Sequence, residues 1–90
     1  MTEAQLRELL SQELLAWAER SPADIVVDLA EPQIRQSGSG DGWHEIEVSL
    51  LEKTDEYLHV MASIHDGSFV LSLKPITASF LVYRDGRIEM

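Results

Sequence analysis

Between residues 43 and 65 apolar and polar side chains alternate about one polar break, and this restricts the folds open to the chain. In the first half, 43–51, Ile46, Val48 and Leu50 fall on one side and Glu45, Glu47 and Ser49 on the other. In the second half, 57–65, Leu58, Val60, Ala62 and Ile64 oppose Tyr57, His59, Met61, Ser63 and His65. Strand side chains repeat every second residue, so the pattern predicts two half-buried strands joined at Lys53, Thr54, Asp55 and Glu56. Putting both apolar rows on one face fixes the register. Ile46 then faces Ile64, Val48 faces Ala62 and Leu50 faces Val60, while Glu45 faces His65, Glu47 faces Ser63 and Leu51 faces His59.

The flanking segments decide what covers the apolar rows. Thr2 with Gln5 three positions on is a capping-box pattern, and Leu6, Leu10, Leu14 and Trp17, with Leu9 beside them, draw one apolar stripe on a helix. Ser21-Pro22 is expected to stop that helix after about 17 residues, because proline lacks the backbone donor and restricts the residue before it. Residues 24–30, with Ile25, Val27 and Leu29 alternating, predict a strand. Glu31-Pro32 ends or bends it, and residues 33–36 fit either an extension of the strand or an irregular approach to the next one. The glycine-rich residues 37–42 predict a mobile loop.

Beyond the central hairpin, Asp66-Gly67-Ser68 signals a turn, and Phe69, Leu71 and Leu73 alternating with Val70 and Ser72 predict another strand over 69–73. Lys74-Pro75 breaks it, since a sheet tolerates proline only at an edge, a strand start or a bulge. Residues 77–83 form the next strand, Asp85-Gly86 a two-residue hairpin turn of the primed type, and 88–90 a short returning strand at an edge. The order predicts an α+β single domain over residues 1–90. One N-terminal helix packs on an antiparallel sheet of five to six strands. In element order alone this resembles helix-plus-curled-sheet folds such as the cystatin-like class.

Charge narrows the function. Sixteen acids against seven Lys and Arg give a formal charge of -9, which disfavours nucleic acid and anionic membranes and would speed encounter with a basic protein. Without cysteine, disulfides and thiolate metal sites are excluded. The N-terminus lacks the basic segment and apolar core of a signal peptide, and no apolar run nears the roughly 18 residues that span a bilayer, so a cytoplasmic location is expected.

Chemical motifs are sparse, and neither an enzyme nor a cofactor is expected. The glycine loop has no helix after it and no lysine to hold a phosphate. None of the serines sits in a nucleophile elbow. His59 and His65, on one strand, are about 20 Å apart and cannot share a metal ion, and no metal site is expected. Glu45 facing His65 is either an ordinary surface pair or a carboxylate holding an imidazole for proton transfer. The second face of the sheet carries more information. Leu51, Tyr57, His59, Met61, His65, Leu81 and Tyr83, with Val70 as a weaker member, gather there among acids, as at a protein interface. The expected function is therefore non-enzymatic binding of another protein, a basic one favoured, through that face or an edge strand. An edge could also join two copies in a homodimer. The alternatives are a small-ligand binder with a cleft between Trp17 and a curled sheet and, more weakly, an enzyme centred on His65 and Glu45.

Overall fold

A computed structural model describes residues 1–90, apart from the Ser72 side chain. Its elements are α1 (Glu3–Ala18), α2 (Pro22–Asp28), β1 (Gln33–Ser37), a single 3-10 turn (Gly40–Gly42), β2 (His44–Lys53), β3 (Tyr57–His65), α3 (Phe69–Leu73), β4 (Ile76–Tyr83) and β5 (Ile88–Glu89). The five strands form one sheet in chain order, and every neighbouring pair is antiparallel. The chain is thus α+β, with an N-terminal helix on an antiparallel sheet. Among the described residues no helix is long and apolar enough to cross a membrane.

The capping box starts α1 as its sequence dictates. The Gln5 amide N–H donates to Thr2 Oγ1 at 3.1 Å, and the Thr2 N–H donates to Gln5 Oε1 at 2.8 Å. Leu6, Leu10, Leu14 and Trp17 are all buried, and the helix lies across β3 and β4. Beneath it the even-numbered residues of β3 are sealed from water, with Val60, Ala62 and Ile64 at 0 % exposure. Ile46, Val48, Ile76, Phe80 and Val82 complete the layer from β2 and β4. Arg35 on β1 reaches back to Glu13 on α1 at 2.8 Å, tying the edge strand to the helix layer.

Two segments expected as strands are helices. Over 24–30 the chain forms α2, because Ser21-Pro22 begins a helix as well as ending one. Ser21 Oγ accepts the Asp24 N–H at 3.2 Å, and Pro22 occupies the first turn, where its missing donor costs nothing. Burial follows helical spacing: Ile25 is at 0 % exposure and Leu29 at 4 %, whereas Val27, which a strand would place beside Ile25, is 74 % exposed. Over 69–73 the chain forms α3, with Ser68 Oγ accepting the Leu71 N–H at 3.4 Å. Lys74, turned out of the helical region before Pro75 at φ -141° and ψ 79°, closes it after five residues. Residues 33–37 are neither an extension of a preceding strand, since α2 is a helix, nor irregular: they form a separate edge strand paired with β2.

The last hairpin also differs from expectation. Its loop is the three residues 84–86, between Tyr83 and Arg87, whose backbones bond at 2.8 Å. Gly86 alone takes a positive φ, +93°, whereas a primed two-residue turn of the Asp-Gly kind needs two.

The helical reading of α2 is testable by urea denaturation. Ile25→Ala is expected to cost about 2–5 kcal/mol, whereas Val27→Ala stays within about 0.5 kcal/mol. Comparable losses at the two positions would restore the strand.

Candidate functional site

The sheet has one covered face. α1 and α2 bury their apolar residues in the same cluster as the even-numbered residues of β3, and Leu71 of α3 packs against that cluster too. The opposite face is built by the pairings. Across β2, β3 and β4, Glu47, Ser63 and Thr77 make one row and Ser49, Met61 and Ser79 the next. Glu52, His59 and Leu81 follow, and then Tyr57 beside Tyr83. β1 extends this face with Ile34 beside Glu47 and Gln36 beside Glu45. Tyr57, His59, Met61, His65, Leu81 and Tyr83 therefore share this face, as the alternation requires, with His65 at the end away from the tyrosines. All six are partly exposed.

Leu51 and Val70 are corrections. The register slips between Leu50 and Glu52, so Glu52, not Leu51, lies opposite His59. Leu51 is the extra residue of a bulge, 56 % exposed and out of the row. Val70 belongs to α3 and lies off the sheet altogether. Ile34, Gln36 and Glu52 were not anticipated on this face. A polar five-residue edge strand shows too little alternation to be read, and a bulge leaves no mark in side-chain spacing.

At one end of the face two tyrosines sit with ring centroids 6.2 Å apart. The Tyr57 hydroxyl donates to Glu52, and the Tyr83 hydroxyl donates to Glu89 at 2.9 Å. The Arg87 guanidinium stacks 4.6 Å from the Tyr83 ring centre. Each carboxylate accepts from a phenol and opposes its ionisation, so both tyrosines are raised above their ordinary 10.0. Near-ultraviolet titration is expected to show both ionising above that value, and Glu52→Gln to bring Tyr57 back toward it. No shift in Glu52→Gln would mean that the contact is absent.

At the other end His65 is held on three sides. Its Nε2 lies 2.9 Å from Glu45 Oε2, its Nδ1 accepts the Gly67 N–H at 3.1 Å, and the Trp43 ring packs edge-on with centroids 5.6 Å apart. A backbone N–H can only donate, so Nδ1 is the acceptor and the proton rests on Nε2, given to Glu45. Neither ring nitrogen is left for a substrate or a metal. Gly67 is needed here: its φ is +84°, and a Cβ would stand 3.2 Å from the Trp43 ring. The second Glu45 oxygen accepts from the Gln36 amide at 2.9 Å.

Glu45 is held below its ordinary 4.5, first by the Gln36 amide and then by His65. Folding therefore favours its charged form, a contribution present above the ordinary value and lost as pH falls through the lower folded one. Glu45→Ala is expected to destabilise the chain at about pH 6, and that cost is expected to shrink as the pH falls through the lowered folded value of the carboxylate. Urea denaturation at each pH checks this, and a cost that persists at the acid end would contradict it.

Among the described residues no three His, Asp or Glu side chains gather to hold a metal ion. The space between Trp17 and the sheet is filled, with Trp17 only 4 % exposed. A shallow apolar cleft of about 190 Å3 lies instead between α2 and the ends of β3 and β4, lined by Pro22, Val26, Leu58, Val82 and Tyr83 among others. That is below the roughly 300 Å3 at which small-molecule pockets begin. No protein-family model matches the chain, and comparison with the curated proteins and with the solved structures finds no match.

Proposed function

We infer that the chain is a non-catalytic protein-binding domain whose uncovered sheet face receives a basic partner. The observation that supports this most is the band of Met61, His59, Leu81 and the Tyr57–Tyr83 pair on the helix-free face, edged by Glu47, Glu52 and Glu89. Tyrosine gives contact area at low entropic cost, and a flexible thioether adapts to a partner's shape. His59 contributes an imidazole with no hydrogen-bond or ion-pair partner among the described residues. The surrounding acids, in a chain of formal charge -9, would accelerate encounter with a basic surface and discriminate against acidic ones. The edges β1 and β5 offer backbone groups for an extended segment of the same partner.

The closed His65–Glu45 pair counts against an acid-base role, because general base catalysis needs a nitrogen free to take a proton. The cleft beside α2 favours one lesser reading, a site for a single aliphatic group, since its lining is mostly apolar.

Affinity capture from the native host tests the main reading, with wild type, Met61→Asp and Leu81→Asp as baits. A basic protein retained by wild type, lost from both variants and released by salt is the expected result. The same proteins held equally by all three baits would contradict it. Circular dichroism checks that the variants remain folded.

A further inference from the structure

The most exposed apolar surface is not on the sheet. Phe69, Val70 and Leu73 of α3 are 79 %, 71 % and 72 % exposed, while Leu71 packs against the core. Residues 67–73, Gly-Ser-Phe-Val-Leu-Ser-Leu, hold no charged side chain in a chain where charged residues make up 26 %. The neutral segment is bounded by Asp66 on one side and Lys74 on the other.

We propose that α3 is the contact through which two copies of this chain form a weak, two-fold symmetric dimer. A basic partner, which the acidic surface would attract elsewhere, finds no acid along 67–73 and meets the Lys74 ammonium at the end of the helix. A second copy fits better. In an isologous contact the same patch serves both sides, and helices crossing antiparallel set Asp66 of each copy beside Lys74 of the other. Lys74 has no ion-pair partner among the described residues, so it is available for that contact. Two chains of charge -9 repel each other over most of their surfaces, and α3 offers an approach without facing acids.

The area sets the strength. Three such side chains expose on the order of 400 Å2 per copy, at most about 800 Å2 in a dimer, below the size of stable specific interfaces and within the range of weak, transient contacts. A contact this small is a weak one, so association is to be sought at roughly tens to hundreds of micromolar protein or above. The inference stands apart from the sheet-face reading, because the residues and the occupant both differ.

Sedimentation equilibrium of the full chain over roughly 10 µM to 1 mM tests it, with NaCl at about 50 mM and about 500 mM. Wild type is expected to pass from monomer to dimer, and more readily at high salt, which screens the overall repulsion. Leu73→Asp is expected to weaken association at least about tenfold without changing the thermal melt, because the side chain it replaces is in water. Lys74→Glu is expected to weaken it a few-fold at low salt and less at high salt, and Met61→Asp to leave it unchanged. A wild-type chain monomeric throughout would overturn the proposal. So would a dimer unaffected by Leu73→Asp, which would place the contact elsewhere, on the uncovered sheet face or an edge strand.

Discussion

The fold depends on the burial of one row of side chains. Leu58, Val60, Ala62 and Ile64 of β3 form the floor on which Leu6, Leu10, Leu14 and Trp17 rest. The neighbouring rows, Ile46 and Val48 on β2 and Ile76, Phe80 and Val82 on β4, are fixed relative to that floor by backbone pairing. A slip of one residue in either ladder would turn an entire apolar row to water. Each fully buried aliphatic side chain is worth about 1.5–3 kcal/mol, a large fraction of the 5–15 kcal/mol that separates most domains from their unfolded state. Register and helix placement are therefore one constraint.

The same alternation creates the other face. Residues that cannot enter the core stand on the side without helices, where polar contacts organise them. At one end Gln36, Glu45 and His65 form a closed chain of hydrogen bonds, and at the other each tyrosine is tied to a carboxylate. Between them Ser49, Ser63 and Ser79 surround Met61. Small hydroxyl side chains leave that centre shallow, which suits a flat protein contact better than a small molecule. The proposed binding role thus grows from the parity that builds the core, while the dimer contact depends on α3, outside the sheet.

The central hairpin was legible because alternation over nine or ten residues has no helical counterpart, and five of the six cross-strand pairings between β2 and β3 could be derived from it. The sixth failed at Leu51, since a bulge adds a residue without altering composition. α1 was legible for a similar reason, with four core residues on one stripe and a reciprocal cap. The segments 24–30 and 69–73 were too short for periodicity to decide. Stretches of seven and five residues, each with four drawn from Ile, Val, Leu and Phe, fit both periods, and strand propensity pointed the wrong way. The deciding signals were single residues, Ser21 with Pro22 and Ser68 with Pro75, whose capping geometry outweighed the β-branched side chains beside them. For the candidate site, face membership could be read from the hairpin. The closed state of His65 could not, because it requires Gly67 and Trp43 to converge from separate loops.

The lack of cysteine in the chain permits a direct measurement of the parity on which both faces rest. Single cysteines introduced as Val60→Cys, Met61→Cys, Ala62→Cys and Ser63→Cys can be timed against a water-soluble thiol reagent under native conditions. Labelling at 61 and 63 is expected to outpace that at 60 and 62 by roughly a hundredfold or more, since the buried pair reacts only when the sheet opens. Equal rates at all four positions, or faster reaction at 60 and 62, would contradict the account.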